Sequence, residues 1–229
     1  MQWDEFSDWG AKISQWAADY HTNLRDRPVR AQSLPGDVAA LIALAPPEGP
    51  QDMSEIMEDF ERVVMPGITH WQHPRFFAYF PANAAPPSML AEMLVSTIAA
   101  QCMLWQTSPA ATEMETVMLD WLRQAIGLPK HFSGVIQDSA SSATLAAVLT
   151  MRERALNWEG NQSGLSGAAR LRIYCSSEVH TSVDRAIWVA GIGQANLVRI
   201  PISGGLRGLR PEVLRQLIMS DITMGYCPA

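Results

Sequence analysis

Large apolar side chains recur at steps of three and four along the first 24 residues: Trp3, Phe6, Trp9, Ile13, Trp16, Tyr20 and Leu24. This spacing predicts an amphipathic helix, because side chains three and four residues apart lie on one helix face. So many aromatic side chains on a short arm favour packing against a core or, more specifically, against another subunit. A role in cofactor binding is the weaker interpretation.

The middle of the chain combines a connector, an irregular loop and three helices. Residues 25–50 are rich in proline, and a short helix is predicted over 54–64. Residues 68–85 contain five aromatic side chains but follow neither the helical nor the strand period. An irregular apolar loop of this length is usually functional. Two helices, over 88–104 and 109–126, are predicted after it.

Strand and helix patterns alternate from residue 134 onward. Strands are predicted over 134–137, 171–175 and 196–202, and helices over 142–157, 182–190 and 211–220. This alternation is typical of an α/β protein with a mostly parallel sheet. The pattern calls for a further strand after the last helix, and this strand is expected to begin just where the sequence ends.

Composition and charge narrow the function classes. The 229 residues are 48% hydrophobic and 17% charged, with net charge −6, which excludes a disordered chain and argues against nucleic acid or an anionic membrane as partner. Three scattered cysteines fit a reducing compartment, so a cytoplasmic location is expected. The acidic N-terminus does not resemble a signal peptide. The stretch 89–105 is too short and polar to span a membrane and is predicted to be a buried helix.

A turn of small and hydroxyl residues, Asp138-Ser-Ala-Ser-Ser-Ala-Thr144, lies between a predicted strand and a predicted helix. Small residues allow close backbone approach, and a helix N-terminus offers amide donors, so the turn suits a phosphate group. It matches neither a dinucleotide fingerprint nor a P-loop. Taken alone, an ordinary serine N-cap explains it better.

His180 follows the strand 171–175 and precedes the helix 182–190. Loops at the carboxyl ends of parallel strands line ligand crevices, so an imidazole there can act as an acid or base or stack on a flat ligand. A surface histidine that caps the helix is an equally good interpretation. The Ser-rich turn shares the same sheet edge, and this strengthens both functional assignments.

Other candidate sites lack the surroundings that their chemistry needs. Ser139 and Ser141 have no nucleophile-elbow motif. His70 and His73 do not form a metal-ligand pattern with the nearby glutamates, so no metal is expected. The charged run 152–154 is predicted to be a solvated helix face.

Four segments resemble the aromatic-L-amino-acid decarboxylases, which are group II pyridoxal-phosphate enzymes of fold type I. They are His73-Pro-Arg-Phe-Phe-Ala-Tyr-Phe-Pro81, Ser108-Pro-Ala-Ala-Thr-Glu-Met-Glu-Thr116, Val135-Ile-Gln-Asp-Ser-Ala-Ser-Ser-Ala-Thr144 and His180-Thr-Ser-Val-Asp-Arg-Ala186. The segments occur in the family's order. The resemblance runs from the N-terminal arm to the last residue.

The resemblance implies a role for each matched position. Ser139, Ala140 and Ser141 would bind the phosphate of pyridoxal 5'-phosphate, and His180 would be catalytic and stack on its ring. The substrate pocket would be lined by Trp71, Tyr79, Phe80, Pro81, Ala82, Gln101 and Met103. Four positions depart from the pattern of the family. Asp138 lies where family members commonly have a glycine, and Ala82 where they often have a hydroxyl residue. Gln101 and Met103 lie where bulkier apolar residues are expected. Because of these departures, the resemblance does not determine which amino acid is the substrate.

The resemblance also implies an incomplete fold type I α/β enzyme. Residues 1–85 would be the N-terminal arm and substrate loop, and 86–229 the first part of the cofactor-binding large domain. Family members attach the cofactor to a lysine that follows a histidine, but Lys12 and Lys130 are the two lysines here and neither has that context. We therefore expect the 229 residues alone to be inactive. A homodimer or a complementary C-terminal polypeptide is the expected partner.

The expected reaction is decarboxylation of an aromatic L-amino acid to its amine. The alternatives are an aldehyde synthase or another amino acid decarboxylase of the same family, and a non-catalytic fragment or interaction subunit. The aromatic loop and His180 favour a flat, apolar substrate over glutamate.

Overall fold

The computed structural model describes residues 2–80, 84–205 and 207–229 and divides into two compact units, residues 1–99 and 100–229. The first unit contains α1 (Trp3–Thr22), α2 (Met53–Asp59) and α3 (Pro86–Ile98). One π-helical turn (Phe60–Val64) extends α2. The other described residues of this unit are irregular apart from three short 3-10 turns at 24–26, 39–41 and 65–67.

The core of the first unit lies where the end of α1 meets the π turn and the loop after it. Its buried side chains are Leu24, Val63, Met65, His70 and His73. Trp16 stacks on Tyr20 at 5.5 Å between ring centroids and meets Phe60 edge-on at 5.3 Å. The C-terminal half of the aromatic stripe on α1 therefore packs within the unit.

The start of α1 and the whole of α3 expose apolar side chains. Trp3 is 84% exposed, and none of the residues of α3 is buried. The prediction of a buried helix over this segment was wrong for this chain, since its large apolar side chains face solvent. The helix also ends at Ile98, short of 104, because Ala99 adopts a left-handed backbone with φ 49°.

The second unit is built on a parallel sheet. Its helices are α4 (Pro109–Ala125), α5 (Ala140–Ala155), α6 (Gly160–Ser163), α7 (Ser182–Val189) and α8 (Pro211–Thr223). Its strands are β1 (Leu171–Ser176), β2 (Leu197–Ile200), β3 (Ile202–Ser203), β4 (Gly208–Leu209) and β5 (Cys227–Pro228). The main sheet has the order β2-β1-β5 with both pairings parallel, and β3 and β4 form a small antiparallel ladder.

Alternate residues of β1 face the two sides of this sheet. Leu171 and Ile173 are buried in a cluster with Val148 of α5 and with Ala186 and Ile187 of α7. Tyr174 points to the opposite side, where its hydroxyl meets Asp221 of α8. Helices therefore cover both faces, as the predicted α/β pattern requires. The sequence was expected to end before the strand that follows the last helix, but this strand begins within the chain as β5 and pairs with β1.

Two predictions in this unit were wrong. Residues 134–137 are extended coil with Val135 63% and Ile136 65% exposed, because no strand in the described part of the chain pairs with them. Residues 152–154 are not a fully solvated face, since Glu153 is buried. Its carboxylate pairs with Arg152 at 2.7 Å and accepts the Asn161 amide at 3.0 Å.

Candidate functional site

The N-terminus of α5 exposes amide groups and hydroxyls together. Ser139 caps the helix with an extended backbone, and its Oγ accepts a hydrogen bond from the Ser142 amide at 3.2 Å. Within the described residues the amides of Ala140 and Ser141 have no hydrogen-bond acceptor, as expected for a first helical turn. Ser139, Ala140 and Ser141 are all exposed. Free amides, a hydroxyl and the positive helix end can bind a phosphate here.

His180 lies in the turn between the carboxyl end of β1 and the start of α7. The ring is exposed, and its Nδ1 accepts a hydrogen bond from the Ser182 amide at 3.2 Å. The Ser182 Oγ lies 3.0 Å from the same nitrogen. The interpretation of His180 as a helix cap is therefore correct, since the ring accepts a hydrogen bond from a free amide at the start of α7. The other edge of the ring is left for a ligand.

The Ser-rich turn and His180 start helices that run side by side. α5 and α7 contribute to one buried cluster, and Arg152 near the end of α5 donates a 2.8 Å hydrogen bond to the carbonyl of Ala190, just after α7. The C-terminal ends of the two helices thus meet. An α-helix rises about 1.5 Å per residue, so the N-terminal ends of α5 and α7 also lie toward one end of this helix pair. Ser139 and His180 precede these two N-terminal ends. Ser139 and His180 thus lie toward the same end of the α5–α7 helix pair, while their placement at one edge of the sheet stays a prediction, because residues 134–137 form no strand in the described structure.

The aromatic loop of the first unit holds its rings in a stack. Trp71 stacks on Phe76 at 5.0 Å and on Tyr79 at 5.5 Å between ring centroids. Tyr79 has a left-handed backbone with φ 57°, which costs energy for an aromatic residue and is typical of functional loops. Tyr79 and Phe80 are 82% and 99% exposed, so this loop presents an aromatic surface to solvent.

The remaining predicted pocket residues are spread over other parts of the chain. Gln101 and Met103 are exposed in the irregular segment before α4. Pro81 and Ala82 lie outside the described residues. The lining of one pocket by these residues, together with those of the aromatic loop, stays a prediction.

Two buried histidines anchor the base of the aromatic loop. His70 and His73 are each 3% exposed. The Tyr20 hydroxyl lies 2.8 Å from Nδ1 of His70, while His73 accepts the Arg75 amide at 3.0 Å. Burial lowers the pKa of His70, and the nearby Arg27 guanidinium and His73 lower it further. These histidines hold the loop in place.

A polar network that sequence reasoning missed joins β1 to α8. Asp221 is buried, accepts the Tyr174 hydroxyl at 2.8 Å and pairs with Arg172 at 3.6 Å. Burial and the Asp221 carboxylate raise the pKa of Tyr174 well above its usual range. Arg172 also lies over the Tyr226 ring, 3.9 Å from its centroid. Sequence reasoning also missed Ser182, although its spacing of two residues from His180 was a usable signal.

Comparison with known proteins decides the family. The sequence model of the pyridoxal-dependent decarboxylase conserved domain matches residues 35–229. The chain belongs to the pyridoxal-dependent decarboxylase family. The predicted resemblance is thereby confirmed, and pyridoxal phosphate is the cofactor of this family.

The individual relatives of this chain include decarboxylases and an aldehyde synthase. Aromatic-L-amino-acid decarboxylase of Rattus norvegicus is 38% identical over 98% of this chain, and phenylacetaldehyde synthase of Arabidopsis thaliana is 33% identical over 100% of it. The matches cover 48% and 47% of those relatives, so the chain spans about half of their length.

A solved structure confirms the fold. Catharanthus roseus tryptophan decarboxylase, in complex with L-tryptophan, matches with a TM-score of 0.91 at 33% identity. The match covers 100% of this chain and 50% of that one. The predicted fold class, the N-terminal portion of a fold type I enzyme, is therefore correct.

The residues at the start of α5 fit the phosphate of the family's cofactor. The free amides of Ala140 and Ser141 and the exposed Ser141 hydroxyl offer donors at a helix N-terminus, which is the donor set that a phosphate needs. No helix in the described ranges is long and apolar enough to cross a membrane.

Proposed function

We propose that this chain forms part of an enzyme that decarboxylates an aromatic L-amino acid to its amine. The observation that carries the proposal is the placement of the α5 amide cradle and His180 toward the same end of the α5–α7 helix pair, in a family defined by pyridoxal-dependent decarboxylation. Relatives that act on aromatic amino acids support the substrate class.

Each predicted element has a separate task in this proposal. The amides of Ala140 and Ser141, with the hydroxyls of Ser139 and Ser141, bind the cofactor phosphate. His180 stacks on the cofactor ring and presents its free edge to the reacting groups. When bound, pyridoxal phosphate supplies the electron sink for the pair left behind by the departing carboxylate.

The aromatic loop supports a flat, apolar substrate. Trp71, stacked on Phe76 and Tyr79, offers a rigid wall on which an aromatic side chain can pack. Such a flat aromatic surface favours a flat, apolar side chain over the carboxylate of glutamate. We propose that Phe80, Pro81, Ala82, Gln101 and Met103 complete the pocket.

We further propose that the 229 residues by themselves do not turn over substrate. Lys12 lies on α1 and Lys130 lies in the exposed turn after α4, and neither follows a histidine as the cofactor-attaching lysine of the family does. Catalysis would then require the polypeptide that supplies this lysine. Labelling with pyridoxal phosphate and borohydride, followed by peptide mapping, tests this. A labelled Lys12 or Lys130 would contradict it.

A homodimer in the cytoplasm is the proposed assembly and location. The exposed apolar side chains on α1 and α3, including Trp3, Leu90 and Leu94, offer a surface that a second copy would cover. Light scattering on the purified protein should give twice the mass of one polypeptide. A monomer with the same surface exposed would contradict this assembly.

The direct test of the reaction compares wild type with His180→Ala in the complete enzyme. We expect turnover of L-tryptophan, L-tyrosine or L-phenylalanine to fall about 100-fold or more, the range in which a lost acid-base group acts. His131→Ala is the matched control, because His131 is also exposed but lies in the loop after α4. Near-normal turnover in His180→Ala would return His180 to a purely capping role.

A second candidate function is oxidative deamination to an aldehyde. The chain is 33% identical to an aldehyde synthase over its whole length, which is similar to its identity to some decarboxylases. Sequence identity therefore supports the aldehyde product about as strongly as those matches support the amine. Product analysis separates the two: both release CO2, but a decarboxylase leaves the amine, whereas the synthase consumes O2 and water and leaves aldehyde, ammonia and hydrogen peroxide. Aldehyde as the main product would overturn the decarboxylase proposal and keep the family assignment.

A further inference from the structure

The imidazole of His180 receives its hydrogen bonds from one residue. In the described structure its Nδ1 lies 3.2 Å from the amide nitrogen of Ser182 and 3.0 Å from the Oγ of the same residue. The Nε2 side of the ring makes no hydrogen bond within the residues described. The orientation of this exposed ring is therefore set by Ser182.

The amide contact determines the tautomer of the neutral ring. A backbone N–H can only donate, so Nδ1 must offer its lone pair and cannot carry the proton. The Ser182 hydroxyl then donates to the same atom, and the proton of the neutral imidazole is on Nε2. The edge of His180 left for a ligand thus carries an N–H donor.

Ser182 is itself held in place. It is the first residue of α7 and is buried, whereas His180 is exposed. Ala186 and Ile187 follow one turn later in the helix and belong to the buried cluster of the second unit. A donor on a packed helix can orient an exposed ring, because packing already fixes the donor and no further conformational entropy is lost in placing it.

We propose that Ser182 is a positioning residue: its backbone amide sets the Nε2–H tautomer of His180, and its hydroxyl, which Ser182→Ala removes while keeping the amide, fixes the ring plane for the cofactor and substrate. This rests on the proposed role of His180 in decarboxylation. Thr181, the neighbouring hydroxyl residue, makes no side-chain hydrogen bond to the ring in the described structure.

The first experiment measures the ring without any turnover. Diethyl pyrocarbonate reacts with the unprotonated nitrogen of a neutral imidazole, which in His180 is the Nδ1 engaged by Ser182. In the apo form of the complete protein, peptide mass spectrometry gives the rate at His180 relative to exposed His131. We expect Ser182→Ala to raise this ratio about fivefold, the factor that corresponds to one ordinary hydrogen bond. Thr181→Ala should leave the ratio unchanged.

The second experiment measures kcat and KM in the holoenzyme. Ser182→Ala should lower kcat about tenfold with little change in KM, because a misplaced ring affects the reacting groups more than substrate binding. Ser182→Thr keeps the hydroxyl and should restore both the labelling ratio and kcat. If Ser182→Ala does not fold, Ser182→Cys keeps the volume with a weaker donor and replaces it.

The two experiments separate the failure of this proposal from the failure of the proposed function. An unchanged labelling ratio in Ser182→Ala, or an unchanged kcat with an altered ratio, overturns the positioning role. Near-normal turnover in His180→Ala overturns the function proposed for His180, even where the labelling ratio responds to Ser182 as expected.

Discussion

The hydroxyl of Tyr174 on β1 donates a 2.8 Å hydrogen bond to the Asp221 carboxylate on α8. Asp221 also pairs with Arg172, the residue of β1 that lies beside β5 in the sheet. This one buried carboxylate therefore holds α8 against the strand whose carboxyl end leads to His180.

Removing the Asp221 carboxylate should destabilise the second unit strongly. Asp221→Ala leaves the Arg172 guanidinium without its partner and the Tyr174 hydroxyl without an acceptor, and breaking such a buried pair costs about 3 kcal/mol. Tyr174→Phe removes only the hydroxyl and should cost about 1 kcal/mol. Urea unfolding followed by circular dichroism measures both.

Asp120→Asn is the control for this pair of variants. Asp120 is exposed on α4 and bonds Arg123 and Gln124 at the surface, where solvent screens the interaction. We expect an unfolding midpoint close to that of wild type. Equal midpoints for Asp221→Ala and Asp120→Asn would show that the buried network contributes nothing.

The first unit should lose stability in mild acid through His70. The pKa of His70 is lowered in the folded chain, mainly by burial and also by Arg27 and His73, so the unfolded chain binds a proton more readily. Stability is therefore fully present above the ordinary histidine pKa of about 6.5 and is lost as the pH falls below it. Unfolding midpoints between pH 8 and pH 5 test this.

His70→Gln should flatten that pH dependence, whereas the exposed His131→Gln should leave it as in wild type. The fluorescence of Trp71 offers a local signal, because Trp71 stacks on Phe76 and Tyr79 in the aromatic loop that follows His70 directly. A slope that is the same in wild type and His70→Gln would remove His70 as its source.

Ser141→Ala should weaken cofactor retention without changing the choice of substrate. The hydroxyl of Ser141 adds one donor to a charged phosphate, and such a hydrogen bond is worth about 1.5–3 kcal/mol, or about tenfold or more in Kd. Absorbance titration of the apo form of the complete enzyme with pyridoxal phosphate measures the change. Ser166→Ala, in the exposed loop before β1, is the matched serine control.

Asp138→Asn should have the opposite effect on the same titration. The Asp138 carboxylate lies one residue before the cap of α5, where it repels an anion at the helix N-terminus. Neutralising it should tighten cofactor binding severalfold, most clearly at low salt, since screening weakens the repulsion. Weaker binding in Asp138→Asn would mean that the carboxylate supports the turn and that its charge is unimportant.

Local patterns predicted the parts of the fold that depend on neighbouring residues. The stripe from Trp3 to Leu24, the Pro109 start of α4 and the alternation after residue 170 each gave the correct type of element. A serine N-cap was also predicted for the turn before α5, and the structure shows that this serine is Ser139. Strand order also predicted that the phosphate turn and His180 share one sheet edge, an inference that needs no side-chain detail. It stays a prediction, because residues 134–137 do not form the strand on which it depends.

Features that depend on distant partners could not be predicted in this way. Asp221 acquires its role only when α8 lies beside Tyr174, 47 residues earlier in the chain. Glu153 was taken as solvated because Asn161, whose amide donates to its carboxylate, lies eight residues later on α6. Val135 and Ile136 have a strand-like sequence, but a strand also needs a pairing partner.

The most direct test of the central claim is CO2 release by the complete purified enzyme with pyridoxal phosphate. Carboxyl-labelled L-tryptophan, L-tyrosine, L-phenylalanine and L-glutamate are compared, and the amine is quantified in parallel. We predict equal amounts of CO2 and amine from at least one aromatic substrate and none from glutamate. Bound cofactor with no CO2 from any aromatic amino acid, or CO2 from glutamate alone, would contradict the proposed function.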